Sequence, residues 1–367
     1  MGGPGTSLQR IPIYLAIHRN RQQRPVGLID VLAVAYAMTI VVWQALRLLV
    51  GDRWWWLALA NILSLYLFSP LLFLWPLALG RRWSTIVATT VPTTFLLGLY
   101  GPLFLPPVAS TRADGSVTIR VMSLNVMYLR ETGQSIEQLA HAETPDLICL
   151  QELTPRLAED LTVRLQDEYP YRVLLPEEGV TGLGVFSRYP LKDRGEVPDP
   201  ARGEGWKHGA QVVSIDLAGQ EVLVLNVHAL SPDPLLASVS ARRRFERVFQ
   251  LQQEEVLLWL HRVAEHDGPA IIAGDLNMTD QNRAYRLMAT RLRDVHREAG
   301  WGFGHTVPAS TRGLDGYALP ARLFRIDYVW CSHHWQILDT RVGDWDGQSD
   351  HLPVLATLGL PSEDTAN

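Results

Sequence analysis

Apolar residues are distributed in two different ways along this chain of 367 residues. Up to about position 107 they form three nearly continuous runs, at 26–50, 54–79 and 85–107. Each reaches or exceeds the ~20 residues needed to cross the hydrocarbon of a bilayer. Almost no charge interrupts them. Trp54, Trp55 and Trp56 open the second run and Trp83 precedes the third, where aromatic rings favour the membrane–water interface. Pro70, Pro76 and Pro92 fit kinked membrane helices. The pattern predicts a short N-terminal segment at 1–25 and three transmembrane helices within 26–107.

Beyond Pro107 the pattern changes. Positions 108–117 read as a linker, with the polar run Ser110–Gly115 after Pro106 and Pro107. Short apolar runs bounded by turn residues then predict strands at 117–125, 146–152, 171–175, 183–187, 211–217, 221–228, 269–275, 324–331 and 353–358. Helical spacing is clearest at 239–266, where Phe245, Val248, Leu251, Val256 and Leu260 recur on one face. Shorter helices are predicted at 135–142, 156–168 and 282–290. Ser135 and Gln138 have the spacing of a capping box. Hairpin strands mixed with helices define an α+β or mixed-sheet domain over 118–360, followed by a tail at 361–367.

Charge adds a topology. Arg10, Arg19, Arg21 and Arg24 precede the first run and Arg81 and Arg82 lie between the second and third, whereas the first connection has only Asp52 and Arg53 beyond Arg47. The positive-inside rule puts the N-terminus in the cytoplasm and, after three crossings, the later domain on the extracytoplasmic side of an integral, multi-pass membrane protein. A net charge of −5 argues against holding nucleic acid by bulk electrostatics. The two cysteines, Cys149 and Cys331, lie in strand-like apolar runs and read as buried free thiols, and no Cys/His spacing of a zinc site is present.

Chemistry collects at the strand ends. In Pro269-Ala-Ile-Ile-Ala-Gly-Asp275-Leu-Asn277 a buried strand stops at Gly274, and Asp275 and Asn277 then project to one face. Similar polar groups end other strands: Asn125, Gln151-Glu152, Asn226 and His228, Asp327, and Asp350-His351. A single acid or amide after a strand is ordinarily a turn or cap. Six such sites on successive strands predict one cleft rich in carboxylate, amide and imidazole. The loops Arg202–His208, as a substrate contact, and Trp301–Thr306, near the site, are secondary candidates that read first as ordinary surface, and Arg242–Arg244 reads as a solvated helix face ahead of a contact with lipid headgroups.

Leu124-Asn125, Leu150-Gln151-Glu152, Asn226-Val-His228, Gly274-Asp275-Leu-Asn277, Arg325-Ile-Asp327-Tyr-Val and Ser349-Asp350-His351-Leu-Pro-Val resemble, in order, the motifs of the endonuclease/exonuclease/phosphatase superfamily. The resemblance is to the deoxyribonuclease and neutral sphingomyelinase branches. It implies a four-layer α/β/β/α sandwich of two mixed sheets and phosphoester hydrolysis with a divalent metal, Mg²⁺ or Mn²⁺. It assigns Glu152, Asn125 and Asp350 to the metal, and a hard carboxylate such as Glu152 suits Mg²⁺. Asp275 and Asn277 would position and deprotonate the attacking water, or serve the leaving oxygen. His351 would contact the phosphoryl group or act as base, with Asp327 fixing its tautomer. His228 would donate to a phosphate oxygen or protonate the leaving group. Met127 stands where some of the family's nucleases carry an acid, which leans toward a one-metal site.

These residues predict a membrane-anchored hydrolase of phosphoesters whose partner is the lipid bilayer and whose substrate is a phosphorylated lipid. Three spans with an outer domain of this kind also resemble bacterial proteins associated with teicoplanin-type glycopeptide resistance. The alternative is a tethered nuclease acting on nucleic acid, against which the acidic charge and the lack of a basic stripe count. A catalytically dead binding module is disfavoured by the intact set Glu152, His228, Asp275, Asn277, Asp327 and His351. Nothing in the sequence points to a protein partner.

Overall fold

The computed structural model describes residues 25–106, 116–130, 132–200, 209–232, 238–311 and 320–361. The basic flank of Arg10, Arg19, Arg21 and Arg24, the linker Ser110–Gly115, the loop Arg202–His208 and the tail beyond residue 361 lie outside them. Two compact units separate: one comprises the chain up to Val50 plus Leu63–Gly101, the other Gly51–Ile62 plus everything from Pro102.

The N-terminal helices are α1 (Leu28–Leu49), α2 (Trp55–Ile62), α3 (Leu71–Ala78) and α4 (Trp83–Tyr100). Leu28–Leu49 and Trp83–Phe104 are each long and apolar enough to cross a membrane. The second apolar run differs from the straight span expected. It is broken into α2, a 3-10 turn at Ser64–Phe68 and α3, and passes the same test only as one bent pair. The physical reason lies in its polar and proline content. Asn61 donates to the Asp52 carboxylate (2.7 Å), and Pro70, without an N–H, stands at the start of α3.

In the first unit α1 and α4 run parallel. Thr85 at the start of α4 donates to Asp30 at the start of α1, and Arg81 lies 4.0 Å from the same carboxylate. Ala33, Ala37 and Ala88 form the seam between them, small residues that let two helices approach closely. Near the other end, Phe68 meets both Trp43 and Tyr100 edge-on, at 6.1 and 6.4 Å.

Among the described residues the second unit contains twelve strands: β1 (Val117–Asn125), β2 (Leu147–Gln151), β3 (Tyr171–Leu175), β4 (Leu183–Ser187), β5 (Leu191–Val197) and β6 (Ala210–Leu217). β7 (Gln220–His228), β8 (Ala270–Asp275), β9 (Arg293–Asp294), β10 (Asp327–Cys331), β11 (Gln336–Val342) and β12 (Val354–Leu360) complete them. They form two six-stranded sheets, ordered β11-β12-β1-β2-β4-β3 and β5-β6-β7-β8-β10-β9. Both are mixed, with β1/β2 and β7/β8 parallel and the neighbours antiparallel.

The two inner faces make the core. Ile119, Val121, Leu147, Cys149 and Val185 of the first sheet join Val213, Val224, Ile271, Ala273 and Val329 of the second in one buried cluster. Truncating a side chain such as Ile271 to alanine there costs ~2–5 kcal/mol. Both free cysteines lie in this layer, where burial pushes each thiol up to about 12.

Helices cover the outer faces. α5 (Gln134–Glu143) and α6 (Pro155–Arg164) lay Ile136, Leu139, Leu157 and Leu161 on Met122, Leu124 and Ile148. α7 (Val239–Ala264) and α8 (Arg283–Met288) lay Val256, Trp259, Ala284 and Met288 on Leu225, Ile272 and Trp330. A short helix α9 (Val295–Ala299) follows β9. The layering is the α/β/β/α sandwich expected. Ser135 does not cap α5: the helix starts from Gly133, and the Ser135 hydroxyl accepts from Arg130 (2.8 Å).

Candidate active site

Strand register assembles the site. His228 pairs with Asp275 across parallel β7/β8, and Asp275 pairs with Asp327 across antiparallel β8/β10. These three residues therefore form one row across the second sheet. In the first sheet Asn125 and Gln151 are paired in the same way, and Glu152 follows directly. Gly274 permits the close strand approach, since a Cβ there would lie 1.9 Å from the Val227 carbonyl oxygen.

The backbone around the row is held in left-handed conformations that cost ordinary side chains energy. Met127 has φ of 62°, Glu152 60° and Asn277 48°. Strain of this kind persists only where surrounding bonds fix it, on the order of 1–3 kcal/mol each. Here Met127 N–H donates to Asn125 Oδ1 (3.0 Å), Tyr128 N–H to Glu152 Oε2 (2.9 Å), and Asn277 N–H to Asp275 Oδ1 (2.9 Å).

Asp275 Oδ2 is the hub. Asn125 Nδ2 donates to it at 3.1 Å and to Glu152 Oε1 at 3.0 Å, joining the two sheets. His228 Nε2 and His351 Nε2 lie 3.6 and 3.7 Å from the same oxygen. Each imidazole is oriented from its other side. His228 Nδ1 is 2.9 Å from the Val180 carbonyl, which makes it the protonated nitrogen. His351 Nδ1 is 2.9 Å from Asp327 Oδ2, and Thr306 donates its hydroxyl to that same oxygen at 2.5 Å. Both Nε2 atoms thus face the cleft.

The electrostatics follow from burial and like charge. Asp275 is 1% exposed. Burial, then the Asp327 charge, raise its proton affinity against the opposing pull of His351 and His228. Asp350 is raised by burial, with Glu152 and Asp275 adding to it. His351 is lowered by burial, but Asp327, Asp275 and the hydrogen bond to Asp327 outweigh that and hold it well above the ordinary imidazole range.

Every expected site residue reaches this cleft or its wall. Asn125 presents its nitrogen to both carboxylates, while its oxygen accepts from Met127. Asn277 spends one amide N–H on the Ala229 carbonyl (2.9 Å). Asn226 lies deeper, donating to the carbonyls of Leu150 (3.0 Å) and Gly184 (3.2 Å) between the sheets. Asp327 is not the partner of Arg325, which instead grips Asp294 with two bonds of 2.7 and 3.1 Å. The Val180 carbonyl was not foreseen, and Thr306 belongs to the loop Trp301–Thr306, which the sequence offers only as a secondary candidate near the site. Nothing marks a backbone carbonyl in a sequence, but Thr306 ends a loop that runs on toward Asp327.

Carboxylates from four strand ends with two inward-facing imidazoles define a hydrolytic site suited to phosphoryl oxygens. The family model of the endonuclease/exonuclease/phosphatase family matches residues 122–351. The chain belongs to that family, whose members are hydrolases acting on phosphoester bonds. A Bacillus subtilis (strain 168) protein named exodeoxyribonuclease is 27% identical over 270 residues, 66% of this chain and all of that one. Among solved structures, an endonuclease/exonuclease/phosphatase from Beutenbergia cavernae is similar at 24% identity and TM-score 0.50, over 67% of this chain and 72% of its own. One from Bacteroides vulgatus matches at 18% identity and TM-score 0.51, over 67% and 100%. At these identities the structures speak for the fold.

Whether the residues suit the divalent ion that the family typically uses can be judged from the donors. Asp275, Asp327 and His351 offer ligand atoms within 4.8 Å of one another. In that trio, however, His351 Nδ1 and Thr306 already engage Asp327. The Glu152–Asp350–Asp275 side has the better donor set. Its oxygens are hard, and at Asp350 the charges of Glu152 and Asp275 add to burial in raising the carboxyl, a repulsion that a cation relieves.

Proposed function

We propose that this protein is a membrane-anchored, outward-facing hydrolase of phosphorylated lipids. The observation that carries the lipid reading is a mooring between the exit of the last apolar helix and the active-site loop. Gly302 N–H donates to the Leu103 carbonyl at 2.7 Å. Phe104 packs edge-on against Phe303 (4.9 Å) and Trp301 (6.1 Å). Trp301 is 62% exposed and Leu105 63%, as suits side chains at a membrane interface. The same loop continues to Thr306, which holds Asp327. The chain that leaves the bilayer is thus moored a few residues from the catalytic row.

Helix direction supports the outward orientation. α1 and α4 are parallel, so if both span the bilayer the chain must pass back between them, and Ser64–Ala78, the apolar remainder of the bent pair that lies in the same unit, is the segment available for that passage. Gly51–Ile62 and the chain from Pro102 belong to one unit, as such a three-passage path requires. Arg81 and Arg82 precede α4 on the opposite side, and the positive-inside rule assigns that side to the cytoplasm.

In the reaction Asp275, with raised proton affinity, takes the proton of the attacking water. Asn277 fixes Asp275 through its backbone N–H. His351, held as imidazolium by Asp327, donates to a phosphoryl oxygen as charge builds there. His228, with Nδ1–H on the Val180 carbonyl, donates to a phosphoryl oxygen, or gives its proton to the leaving oxygen as the P–O bond breaks, when Nε2 carries a second proton. Glu152 and Asp350, beside Asn125, would hold Mg²⁺ or Mn²⁺, which when bound would supply Lewis-acid polarisation of the phosphoryl group.

The second reading is a tethered nuclease, favoured by the 27% identity to the exodeoxyribonuclease. Competition separates them. The full-length protein in nanodiscs with Mg²⁺ is offered a lipid pyrophosphate and supercoiled plasmid together. Lipid turnover without nicking supports the proposal, and nicking without lipid turnover replaces it with the nuclease.

A further inference from the structure

Asp275 and Asn277 open a loop that runs to α8, and this loop is held from two directions. From the core, Tyr328 donates to the Met278 carbonyl (3.0 Å) and Gln252 to the Asn277 carbonyl (3.0 Å). From the other side it meets Gly51–Ile62, the connection after the first apolar run together with the start of the second.

Asp52 is the centre of that contact and is 1% exposed. Its Oδ1 accepts from Asn282 Nδ2 (3.0 Å) and Asn61 Nδ2 (2.7 Å), and its Oδ2 accepts from Arg283 N–H (2.5 Å). The first N–H groups of a helix need acceptors. The residue at the cap position of α8, Asn282, makes no side-chain cap bond, because its Oδ1 accepts from Thr279 N–H (2.8 Å) and Thr279 Oγ1 (2.9 Å). Asp52, distant in sequence, supplies the missing acceptor to α8. Thr279 in turn donates to the Asn61 carbonyl at 3.4 Å.

The fit is close elsewhere along the segment. Gly51 has φ of +70°, and a Cβ there would lie 2.8 Å from Arg283 Cδ. Trp55 N–H donates to Glu246 Oε1 (2.9 Å), Arg242 stacks over the Trp55 ring at 4.8 Å, and Ala58 packs with Phe245 and Phe249 of α7.

We propose that Asp52 is a positioning residue for the catalytic loop, so that the connection Gly51–Ile62 is a working part of the catalytic unit and not only a tether. The carboxylate fixes Thr279–Arg283, and that in turn sets the backbone at Asn277 and the aim of Asp275. The kinetic half of this inference rests on the hydrolase reading. The positional half does not.

The test uses the full-length protein in detergent, as wild type, Asp52→Asn and Asp52→Asn/Asn282→Asp. Asparagine keeps the shape of Asp52 but offers one acceptor where two were, and far-UV circular dichroism of each variant checks that the fold is retained. The double variant returns a carboxylate to face the new amide. Hydrogen exchange is read at the amides of 276–288, and kcat and KM on a lipid pyrophosphate with Mg²⁺. Expected for Asp52→Asn is faster exchange confined to 276–288 and a tenfold or greater fall in kcat with KM within twofold, both partly restored in the double variant. Unchanged exchange at 276–288 overturns the proposal, as does faster exchange there with unchanged kcat. If the wild type hydrolyses no phosphoester, the hydrolase reading fails, and exchange alone then upholds or overturns the positional role of Asp52.

Discussion

His351 Nδ1 lies 2.9 Å from Asp327 Oδ2 and 3.1 Å from Asp327 Oδ1, while its Nε2 is turned toward Asp275. One carboxylate orients the ring and another faces it across the cleft. Their charges hold the imidazole protonated well beyond its ordinary range despite burial. A raised imidazole carries its charge at low pH and loses it as pH rises through the folded value. Replacing Asp327 by Asn removes the nearest supporting charge. The alkaline limb of the kcat/KM profile then moves to lower pH, and kcat falls on the order of 10–10²-fold. A pH–rate profile of the two proteins checks this, and an unmoved limb counts against His351 acting as the cation.

Asp275→Asn separates activity from stability. The carboxylate is buried beside Asp327 and is raised by that environment, so its charged form is a burden on the fold. The variant is expected to lose ~10²–10⁴ in kcat while its thermal midpoint stays level or rises. Calorimetry alongside the assay measures both. A large drop in midpoint would mean that Asp275 holds the sheet together.

Acid sensitivity has a source away from the cleft. His296 is 6% exposed and donates from Nε2 to the Gly302 carbonyl at 3.1 Å. Burial, then Arg325, lower it to about 4, against ~6.5 in an unfolded chain. Between those values the unfolded chain binds the extra proton, so stability falls as pH falls through the window, by on the order of 3 kcal/mol in all. Urea midpoints at pH 7.5 and 4.5 should therefore differ more for wild type than for His296→Gln. Equal differences would assign the acid sensitivity to other groups.

The aromatic mooring makes its own demand. Trp301→Ala leaves the catalytic row untouched but removes an exposed ring beside Phe104. Turnover of a lipid in vesicles should fall several-fold, while turnover of a water-soluble aryl phosphoester stays within twofold. A parallel loss on both substrates would place the effect in the loop's support of Thr306 and Asp327.

Much of the site was legible because it obeys strand periodicity. His228, Asp275 and Asp327 each end a strand-like apolar run, and register alone brings them into one row. The sheet interiors were legible for the same reason. The strands that escaped notice, β5, β9 and β11, are edges, and β9 is only two residues long. β5 is mostly exposed and bulged between Asp193 and Glu196, and β11 is bulged between Ile337 and Asp339. Edge strands carry charge and bulges that erase the apolar pattern. The second apolar run looked like a span because hydropathy averages over Asn61 and Pro70. Near the break Asn61 donates to Asp52 and Pro70 opens the next helix, and the Asp52 partner is visible only in three dimensions. The roles of Thr306 and Val180 are hidden likewise, one far along a loop and the other acting through its backbone.

The measurement closest to the central claim is head-group or phosphate release from lipid pyrophosphate and phosphosphingolipid vesicles by the full-length protein, stripped with EDTA and then given Mg²⁺. His351→Ala serves as its control. The account predicts release that appears on returning Mg²⁺ and vanishes in the control. No lipid release by a folded wild type that nicks plasmid DNA, or release undiminished in His351→Ala, would contradict it.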